Sequence, residues 1–357
     1  MKILCAISHH GLGHLAQAGP VLNAMQQLRP DLEWLIWSGL TKEALESRLS
    51  FPFQHRHEPT DVGLLMQDAV RVDAPASRQA YLEFHADWDK RVQLEASWLR
   101  QQKIDGVLCN AAYLPLAAAS QAGVGSMGFC SLNWWDIAHH YLHDAPDMAP
   151  VFTHMREAYQ SARAFLRLTP GIPMAWLANL EAAPPVASVG FDRRAELDSS
   201  LDLTPTHKVV ILGFGGVAYQ PPNPLPCLPD ILWLVPDAWP TAERNDLVRF
   251  SDTQMPFPDL LASCDALVTK VGYGSFVEAA GLGLPVLFLD RPDWPETPWL
   301  RPWLEQHTRA TTISETTLFS QAVSEALSRL WQSPIPHPPD ISGAPAVGRR
   351  ILDCLAG

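Results

Sequence analysis

Short apolar runs alternate with longer helical segments along the sequence, and this alternation limits the possible folds more than any other feature. Lys2–Ser8, Leu32–Ser38 and Asp105–Asn110 are runs of this kind, with the length and apolar content of buried strands. Strands separated by helices of roughly ten residues or more indicate βαβ units and a parallel sheet. The sequence therefore predicts an α/β fold.

The same order recurs in the second half of the chain. Lys208–Gly216 reads as a strand followed by a glycine loop, and ILWLVP, DALVTK and PVLFLD are further strand candidates. A proline-rich and then polar linker lies near residues 185–205, and 357 residues fit two domains of about 150 residues each. We predict Rossmann-like domains over 1–187 and 188–357, with a last helix, PAVGRRILDCLAG, that is compatible with packing on either domain.

Charge and cysteine usage exclude several classes of protein. The net charge is −12, with 26 Lys and Arg against 38 Asp and Glu, which argues against a nucleic-acid partner. The six cysteines form no C-x-x-C pair, as expected for reduced thiols. No secretory signal is evident, and no apolar run approaches the roughly 20 residues of a membrane span. We therefore expect a cytoplasmic protein without a transmembrane segment.

Four polar, glycine-rich loops follow predicted strands, and they carry most of the candidate chemistry. Open parallel sheets bind ligands beyond the carboxyl ends of their strands, and two such domains usually bind a ligand in the cleft between them. We therefore expect the site to be built from loops 8–14, 213–216, 269–275 and 290–296.

The loop within TKVGYGSFVEAAG has two interpretations that the sequence leaves open. Ser275 and Glu278 fit the S-x-x-E capping box, in which each side chain bonds the other residue's amide. Alternatively, Gly272 and Gly274 leave room for a phosphate at a helix start, whose amides attract anions. Lys270 would then add positive charge, and Glu278 would accept hydrogen bonds from the vicinal hydroxyls of a ribose.

The opening loop, SHHGLGH, lacks the sequence patterns of a dinucleotide-binding site and of a metal site. Gly11 and Gly13 form a G-x-G, but Ala16 replaces the third glycine of a dinucleotide fingerprint, so a nicotinamide dehydrogenase is disfavoured. The histidines, His10 among them, lack partners at metal-ligand spacing, so no metal site is predicted. His14, at a helix start, is either a structural histidine or a general base or donor that faces a substrate.

Three stretches resemble the GT-B glycosyltransferases in order and spacing. They are SHHGLGHLAQAGPVLNAM, WLRQQKIDGVLCNAAYLPLAAASQAGVGSMGFCSLNWWDIAHHY and TKVGYGSFVEAAGLGLPVLFLDRPDWPETPWLRPWLE. Within that superfamily the chain most resembles the glycosyltransferase-like amino-terminal region of plant arabinokinases and its free-standing bacterial relatives. The bacterial peptidoglycan N-acetylglucosaminyltransferase is a more distant relative. The resemblance implies two Rossmann-like domains whose parallel sheets face each other across a cleft.

The resemblance also implies a function, a glycosyltransferase that binds a nucleotide-diphosphate sugar, with UDP as the expected nucleotide. The sugar would pass to an unknown acceptor without a metal or other cofactor. Relatives bind the donor ribose at the position of Glu278. The implied donor-binding residues are Gly215, Gly216, Lys270, Gly272, Tyr273, Gly274, Ser275, Glu278, Arg291, Asp293 and Glu296.

The sequence departs from this family pattern on the acceptor side. Asn110 stands where an aspartate is expected, so that position supplies no base. The catalytic candidates are His14 and Asp136, although Asp136 is also a candidate helix N-cap, and His10, Gly11 and Gly13 complete the cleft loop. The sequence shows no counterpart of the arabinokinase kinase domain, so sugar phosphorylation is not predicted.

Two alternative functions follow from the missing aspartate and the unassigned base. One is a GT-B protein that binds a nucleotide sugar as a sensor or partner protein, without turnover. The other is a nucleotide-sugar epimerase, which needs charged acid and base groups around the sugar that the sequence does not reveal.

Overall fold

A computed structural model gives the structure of the chain, and it describes residues 1–68, 70–216, 219, 221–241 and 244–356. The chain divides into two compact units, each with its own parallel sheet. Unit 1 comprises Met1–Gln67, Arg71–Ala187 and Ser342–Gly357, and unit 2 comprises Asp68–Val70 and Ser188–Ile341.

The sheet of unit 1 has seven strands, all parallel, in the order β3-β2-β1-β4-β5-β6-β7. Its central strands are almost entirely apolar because helices cover both faces of the sheet. The strands are β1 (Lys2–Ile7), β2 (Glu33–Trp37), β3 (Phe53–Arg56), β4 (Gly106–Asn110), β5 (Gly125–Cys130), β6 (Ala164–Leu168) and β7 (Leu180–Ala183).

Seven helices follow the strands of this unit in the described part of residues 1–187. They are α1 (Gly13–Leu28), α2 (Lys42–Glu46), α3 (Ala74–His85), α4 (Trp88–Gln101), α5 (Leu114–Ala122), α6 (Trp134–Leu142) and α7 (Ala149–Gln160).

The sheet of unit 2 has six strands, also parallel, in the order β10-β9-β8-β11-β12-β13. The strands are β8 (Lys208–Gly213), β9 (Ile231–Val235), β10 (Leu247–Arg249), β11 (Ala266–Lys270), β12 (Val286–Leu289) and β13 (Ala310–Ile313). The helices are α8 (Arg194–Ser200), α9 (Phe257–Ser263), α10 (Tyr273–Leu282), α11 (Thr297–His307), α12 (Glu315–Leu318) and α13 (Ala322–Gln332).

The last helix, α14 (Ala344–Ala356), belongs to unit 1, where it packs against α1. The contact is close because Gly348 has no side chain: an added Cβ there would lie 3.0 Å from Met25 Cγ. The Gly343 amide donates to the carbonyl oxygen of Pro185 and ties the start of this helix to the same unit. Among the residues that the structure describes, no helix combines the length and apolar character needed to cross a membrane.

Both sheets share one topology, which confirms the predicted α/β class with two Rossmann-like halves. In each sheet the strand order reverses at one point, between β1 and β4 in unit 1 and between β8 and β11 in unit 2. At such a reversal the following connections cross to opposite faces and leave a crevice outside the carboxyl ends of the strands. The candidate site of each unit is therefore expected at this point.

Candidate functional site

Three glycine-rich or polar loops of unit 2 begin side by side at the carboxyl edge of its sheet. They meet because β8, β11 and β12 are neighbouring parallel strands: Thr269 pairs with Gly213, and Lys270 pairs with Leu289. The Thr269 hydroxyl donates to the Gly213 carbonyl oxygen at 2.6 Å, which fixes the ends of β8 and β11 together. The structure thus brings loops 213–216, 269–275 and 290–296 to one edge.

The start of α10 has no side-chain cap. The N-cap residue is Gly272, in an extended conformation (φ −178°, ψ 141°), and as a glycine it supplies no side-chain cap hydrogen bond. The first helical bond runs from the Phe276 amide to the Gly272 carbonyl oxygen, at 3.2 Å. Among the residues that the structure describes, a Cβ added to Gly272 would come within 4 Å of one atom only, the Lys270 carbonyl oxygen at 3.9 Å.

The predicted Ser275–Glu278 capping box is therefore wrong. Because the chain turns from extended to helical at Gly272, the helix begins two residues before Ser275, which becomes its third residue. Glu278 lies in the second turn, away from the N-cap, and is 3% exposed. Capping does not explain a carboxyl group buried in an alanine-rich helix.

Lys270, the last residue of β11, carries an amino group that lies close to the glycine loop after β8. The side chain is half-buried, and burial lowers the pKa of its ammonium group to about 7, with a further lowering from Arg291 that Glu296 opposes. The ammonium nitrogen lies 3.9 Å from the position that a Cβ on Gly215 would take. The Lys270 ammonium thus lies beside the glycine loop after β8, and the backbone of Lys270 lies two residues before the N-cap of α10.

The glycine loop after β8 approaches Lys270 closely because two residues adopt left-handed backbone. Gly215 has φ +73° and Gly216 has φ +79°, a region in which other residues are strained. The second positive charge comes from the loop after β12. Arg291, 4% exposed, lies with Cζ 4.1 Å from the ring centroid of Trp294 and donates from Nε to the Val70 carbonyl oxygen at 3.2 Å.

The acidic residues of the loop after β12 differ in their surroundings. Glu296 is 4% exposed, precedes α11 as its N-cap residue, and accepts from the indole nitrogen of Trp294 at 3.0 Å. Asp293 is exposed. This part of unit 2 thus combines two basic side chains, two buried acids (Glu278 and Glu296) and a helix start without a side-chain cap, a composition suited to an anion with polar substituents.

In unit 1, His14 lies at the corresponding carboxyl edge, as the second residue of α1. It is 5% exposed, and its Nδ1 lies 2.8 Å from Asn110 Oδ1 at the end of β4. An amide oxygen only accepts hydrogen bonds, so Nδ1 carries the hydrogen and Nε2 keeps a lone pair. Burial lowers the pKa of His14 to about 4 despite the Asn110 bond, and His9 lowers it further, so the ring is neutral near pH 7.

A buried polar network holds Asn110 and His14 in place. Gln17, one turn along α1, donates to the Ser131 hydroxyl at 3.0 Å and accepts from the Ser131 amide at 3.2 Å. The Asn110 side-chain nitrogen donates to the same Gln17 oxygen, Oε1, at 3.5 Å. Asn110 supplies no base, as predicted from its residue type, but it selects the tautomer of His14.

Asp136 is the third residue of α6 and has structural partners. Its amide donates to Asn133 Oδ1 at 2.8 Å, and its carboxylate accepts from Asn133 Nδ2 at 2.6 Å and from the Trp176 indole at 3.1 Å. Asn133 is the N-cap of α6, so the alternative that Asp136 caps the helix is wrong. Burial raises the pKa of Asp136, and none of its hydrogen bonds in the described chain reaches His14.

The other members of the predicted cleft loop are His10, Gly11 and Gly13. The His10 ring lies 5.2 Å from the Trp134 ring in an edge-on arrangement. Gly11 has φ +75°, and Gly13, the first residue of α1, has open space where a Cβ would point. The His14 ring also lies against Trp134, at 5.4 Å, so both histidines contact the same indole.

Sequence reasoning missed Asp61, which lies under this loop. Its Oδ1 accepts from the Ser8 hydroxyl at 2.9 Å, although 53 positions separate the two residues. Asp61 follows β3, a short strand that was not predicted, and no motif marks it. Only the tertiary fold brings it beside β1.

A cavity of about 400 Å³ in unit 2 lies at the opposite, amino-terminal edge of the sheet. Its charged groups are largely paired: the Lys208 ammonium lies 2.7 Å from Asp265, and Arg309 donates to the Trp331 carbonyl oxygen at 2.7 Å. The helices α9 and α10 end here, with carbonyl groups that repel anions. No group of three or more potential metal ligands (His, Cys, Asp, Glu) occurs in the described ranges of the chain.

Comparison with known proteins supports the fold and gives one sequence relative. No family model matches the chain. It is 27% identical over 310 residues to the L-arabinokinase of Arabidopsis thaliana, a match that covers 84% of this chain. The chain spans 29% of the length of that relative.

Several solved structures have the same fold. The S. aureus MnaA–UDP structure has a TM-score of 0.60 at 12% identity and covers 98% of this chain and 94% of its own. Arabidopsis thaliana UGT89C1 complexed with UDP has a TM-score of 0.57 at 14% identity, and the match covers 98% of this chain and 94% of UGT89C1. The spinosyn forosaminyltransferase SpnP gives 0.56 at 12% identity, over 99% of this chain and 95% of its own. The predicted resemblance is confirmed: the chain has the GT-B fold, with two Rossmann-like domains.

Proposed function

We propose that unit 2 binds a nucleotide-diphosphate sugar, with UDP as the nucleotide, and that the protein transfers the sugar to an acceptor held by unit 1. The observation that carries this proposal is the start of α10 without a side-chain cap, which follows the strand that ends at Lys270, at the point where the strand order reverses. Two of the fold relatives, MnaA and UGT89C1, were solved with UDP, which favours this nucleotide.

Unit 2 would stabilise the leaving diphosphate electrostatically. The amides of residues 273–275 and the partial positive charge of the helix start would face the phosphate oxygens. Lys270 and Arg291 would offset the charge that develops as the bond to the sugar breaks. These groups would supply the charge stabilisation that a metal ion supplies in other transferases, so we propose transfer without a metal.

The remaining predicted donor residues would contact the ribose and the sugar. Glu278 would accept hydrogen bonds from the vicinal hydroxyls of the ribose. Gly215 and Gly216 would allow the backbone to approach a phosphate. Tyr273, Ser275, Asp293 and Glu296 stay candidates for sugar and phosphate contacts. In unit 1, the free lone pair of His14 Nε2 would accept a hydrogen bond from the acceptor hydroxyl.

A ligand panel tests this function. Thermal unfolding is measured with UDP, ADP, GDP, UDP-glucose and UDP-N-acetylglucosamine, because a ligand that binds the native state raises the midpoint by mass action. Uridine ligands are expected to give the largest shifts. Binding with no transfer to any acceptor in a lysate would identify a nucleotide-sugar-binding protein without turnover, and conversion of one UDP-sugar to its epimer would identify an epimerase. No shift with any nucleotide would contradict the proposal.

Glu278→Ala is expected to remove the distinction between ribose and 2′-deoxyribose. A hydrogen bond to a charged group contributes about 1.5–3 kcal/mol, so wild-type protein should bind UDP at least about tenfold more tightly than 2′-deoxy-UDP. The variant should bind both weakly and equally, as measured by calorimetric titration. The isosteric Glu278→Gln checks that the fold survives. If Glu278→Ala kept the wild-type ratio of affinities for UDP and 2′-deoxy-UDP, the ribose would not contact Glu278.

Gly215→Ala is expected to lower both stability and diphosphate affinity. Alanine at φ +73° costs about 1 kcal/mol, and its methyl group would approach the Lys270 ammonium at 3.9 Å. Gly123→Ala is the matched control, because Gly123 also has φ +73° but no atom within 4 Å of the added Cβ, in unit 1. Both variants should unfold at a lower denaturant concentration than the wild-type protein, and only Gly215→Ala should bind UDP more weakly. Equal UDP affinity in the two variants would show that the Gly215 loop does not contact the phosphate.

A further inference from the structure

The cavity at the amino-terminal edge of the unit 2 sheet has the size of a small-molecule site. Its volume, about 400 Å³, lies within the range of roughly 300–1,000 Å³ that is typical of ligand pockets. Apolar side chains from α9, α10, the turn before β12 and α13 form part of its lining: they are Leu261, Leu282, Leu284, Pro285 and Trp331. The Trp331 indole is held in place because its nitrogen donates to the Asp265 carbonyl oxygen at 3.0 Å.

Backbone carbonyl groups at the end of α10 lack helical partners. The Gly281 carbonyl would accept from the residue four positions on, but this residue is Pro285, which has no N–H. The Leu282 carbonyl would accept from Val286, whose amide donates instead to the Arg309 carbonyl oxygen at 2.8 Å. The last carbonyl groups of a helix also carry a partial negative charge. The end of α10 therefore offers hydrogen-bond acceptors to a ligand in the cavity.

The end of α9 adds a further carbonyl group and a carboxylate that is already neutralised. The Leu261 carbonyl has no helical partner, since the Asp265 amide donates to the Val209 carbonyl oxygen at 2.8 Å. The Asp265 carboxylate accepts from the Lys208 ammonium at 2.7 Å and from the Arg194 guanidinium at 2.5 Å. Because two cations already pair with Asp265, a ligand needs no positive charge to balance it.

Arg309 offers the cavity a hydrogen-bond donor. Its Nη1 donates to the Trp331 carbonyl oxygen at 2.7 Å. Its Nε is buried without a partner, and its Nη2 makes no hydrogen bond with any residue in the described ranges. Within the part of the chain that the structure describes, no carboxylate forms an ion pair with this guanidinium. A guanidinium with unused N–H groups favours a ligand that brings an acceptor.

We propose that this cavity binds a neutral aromatic amide, whose carbonyl oxygen accepts from Arg309 and whose N–H groups donate to the carbonyl oxygens at the ends of α9 and α10. A carboxylate would satisfy Arg309 but would be repelled by those carbonyl groups, and an ammonium group would be repelled by the guanidinium. An amide carries an acceptor and donors without a charge, and a flat ring fits against the Trp331 indole. The site does not depend on the proposed function, since it lies at the other edge of the sheet.

A matched series of probes tests the class of ligand. Benzamide, benzoate and benzylamine share one ring and differ in the charge of a single substituent. Binding is measured by NMR through the backbone amide signals of Gly283 and Leu284, which line the cavity, with and without UDP. Benzamide should bind about fivefold more tightly than either charged probe, the factor expected for one hydrogen bond. Equal or tighter binding of benzoate or benzylamine, or unchanged signals with benzamide, would overturn the proposal.

Two variants locate the probe within the cavity. Ala262 lines the cavity, so Ala262→Phe fills space that the probe needs and should abolish benzamide binding. The matched control is Ala322→Phe, at an exposed position at the start of α13 outside the cavity lining, which should bind benzamide as the wild type does. Arg309→Met removes the donor and should lower the affinity about fivefold. Wild-type affinity in Ala262→Phe would overturn the proposal even if Arg309→Met fails to fold, and absence of nucleotide binding would leave these results unchanged.

Discussion

Replacing Gly272 with aspartate is expected to stabilise the protein and to abolish diphosphate binding. The extended backbone of Gly272 suits an N-cap residue, and a Cβ there meets no atom closer than 3.9 Å. An aspartate would accept from the amides of the first turn and interact with the helix dipole, which contributes about 0.5–1 kcal/mol in stability. Capping the helix and binding a phosphate are therefore alternatives at this position.

The loss of binding should be large because the new carboxylate takes the place of the phosphate. Two like charges about 4 Å apart repel by about 4 kcal/mol near a protein surface, which corresponds to a loss of more than about 100-fold in affinity. Gly272→Asn is the matched control, since it caps without the charge and should bind UDP with intermediate affinity. Denaturation gives the stability, and calorimetric titration gives the affinity. Wild-type UDP affinity in Gly272→Asp would exclude this helix start as the phosphate site.

The second large effect expected is a dependence of nucleotide-sugar affinity on the charge of Lys270. Burial lowers the pKa of this residue to about 7, so the free protein loses the ammonium charge as the pH rises through neutrality. A bound diphosphate favours the charged form, and binding above pH 7 therefore takes up a proton. Between pH 6.5 and pH 8.5 the affinity for UDP-glucose should fall by at least about tenfold, since one pH unit is a factor of ten in proton activity.

Two variants distinguish the effect of the Lys270 charge on UDP-glucose affinity from the effects of other titrating groups. Lys270→Arg stays charged throughout, so its affinity should be nearly independent of pH, whereas Lys270→Met should bind weakly at every pH. UDP-glucose is used because its diphosphate has no proton to lose in this range. A wild-type profile as flat as that of Lys270→Arg would mean that Lys270 does not contact the diphosphate.

The lowered pKa of Lys270 also predicts how the stability of the ligand-free protein depends on pH. The pKa of Lys270 is lower in the folded protein than in the unfolded chain, where it is near 10.5. The unfolded chain therefore binds more protons between pH 7 and pH 10.5, and this residue makes the protein more stable as the pH rises through that window. Below pH 7 both states are protonated, and the destabilising contribution is fully present. Lys270→Met should consequently stabilise the protein more at pH 6 than at pH 9.

The sequence predicted the parallel sheets well because buried strands are recognisable as apolar runs. Lys2–Ile7 and Ala266–Lys270 are strands in the structure, and the loops that follow them lie at the predicted edges. The start of α10 was predicted less well, since S-x-x-E is a local pattern whereas the extended backbone of Gly272 depends on where β11 ends. Asp61 could not be predicted at all, because its partner Ser8 is distant in sequence and hydroxyl–carboxylate contacts have no characteristic spacing.

A crystal structure of the protein with UDP would show whether the start of α10 is the phosphate site. We expect the phosphate oxygens to accept hydrogen bonds from the amides of residues 273–275 and to contact the Lys270 ammonium, with the ribose hydroxyls on Glu278. UDP bound at the amino-terminal edge of the sheet, beside Lys208 and Arg309, or bound only by unit 1, would contradict this expectation.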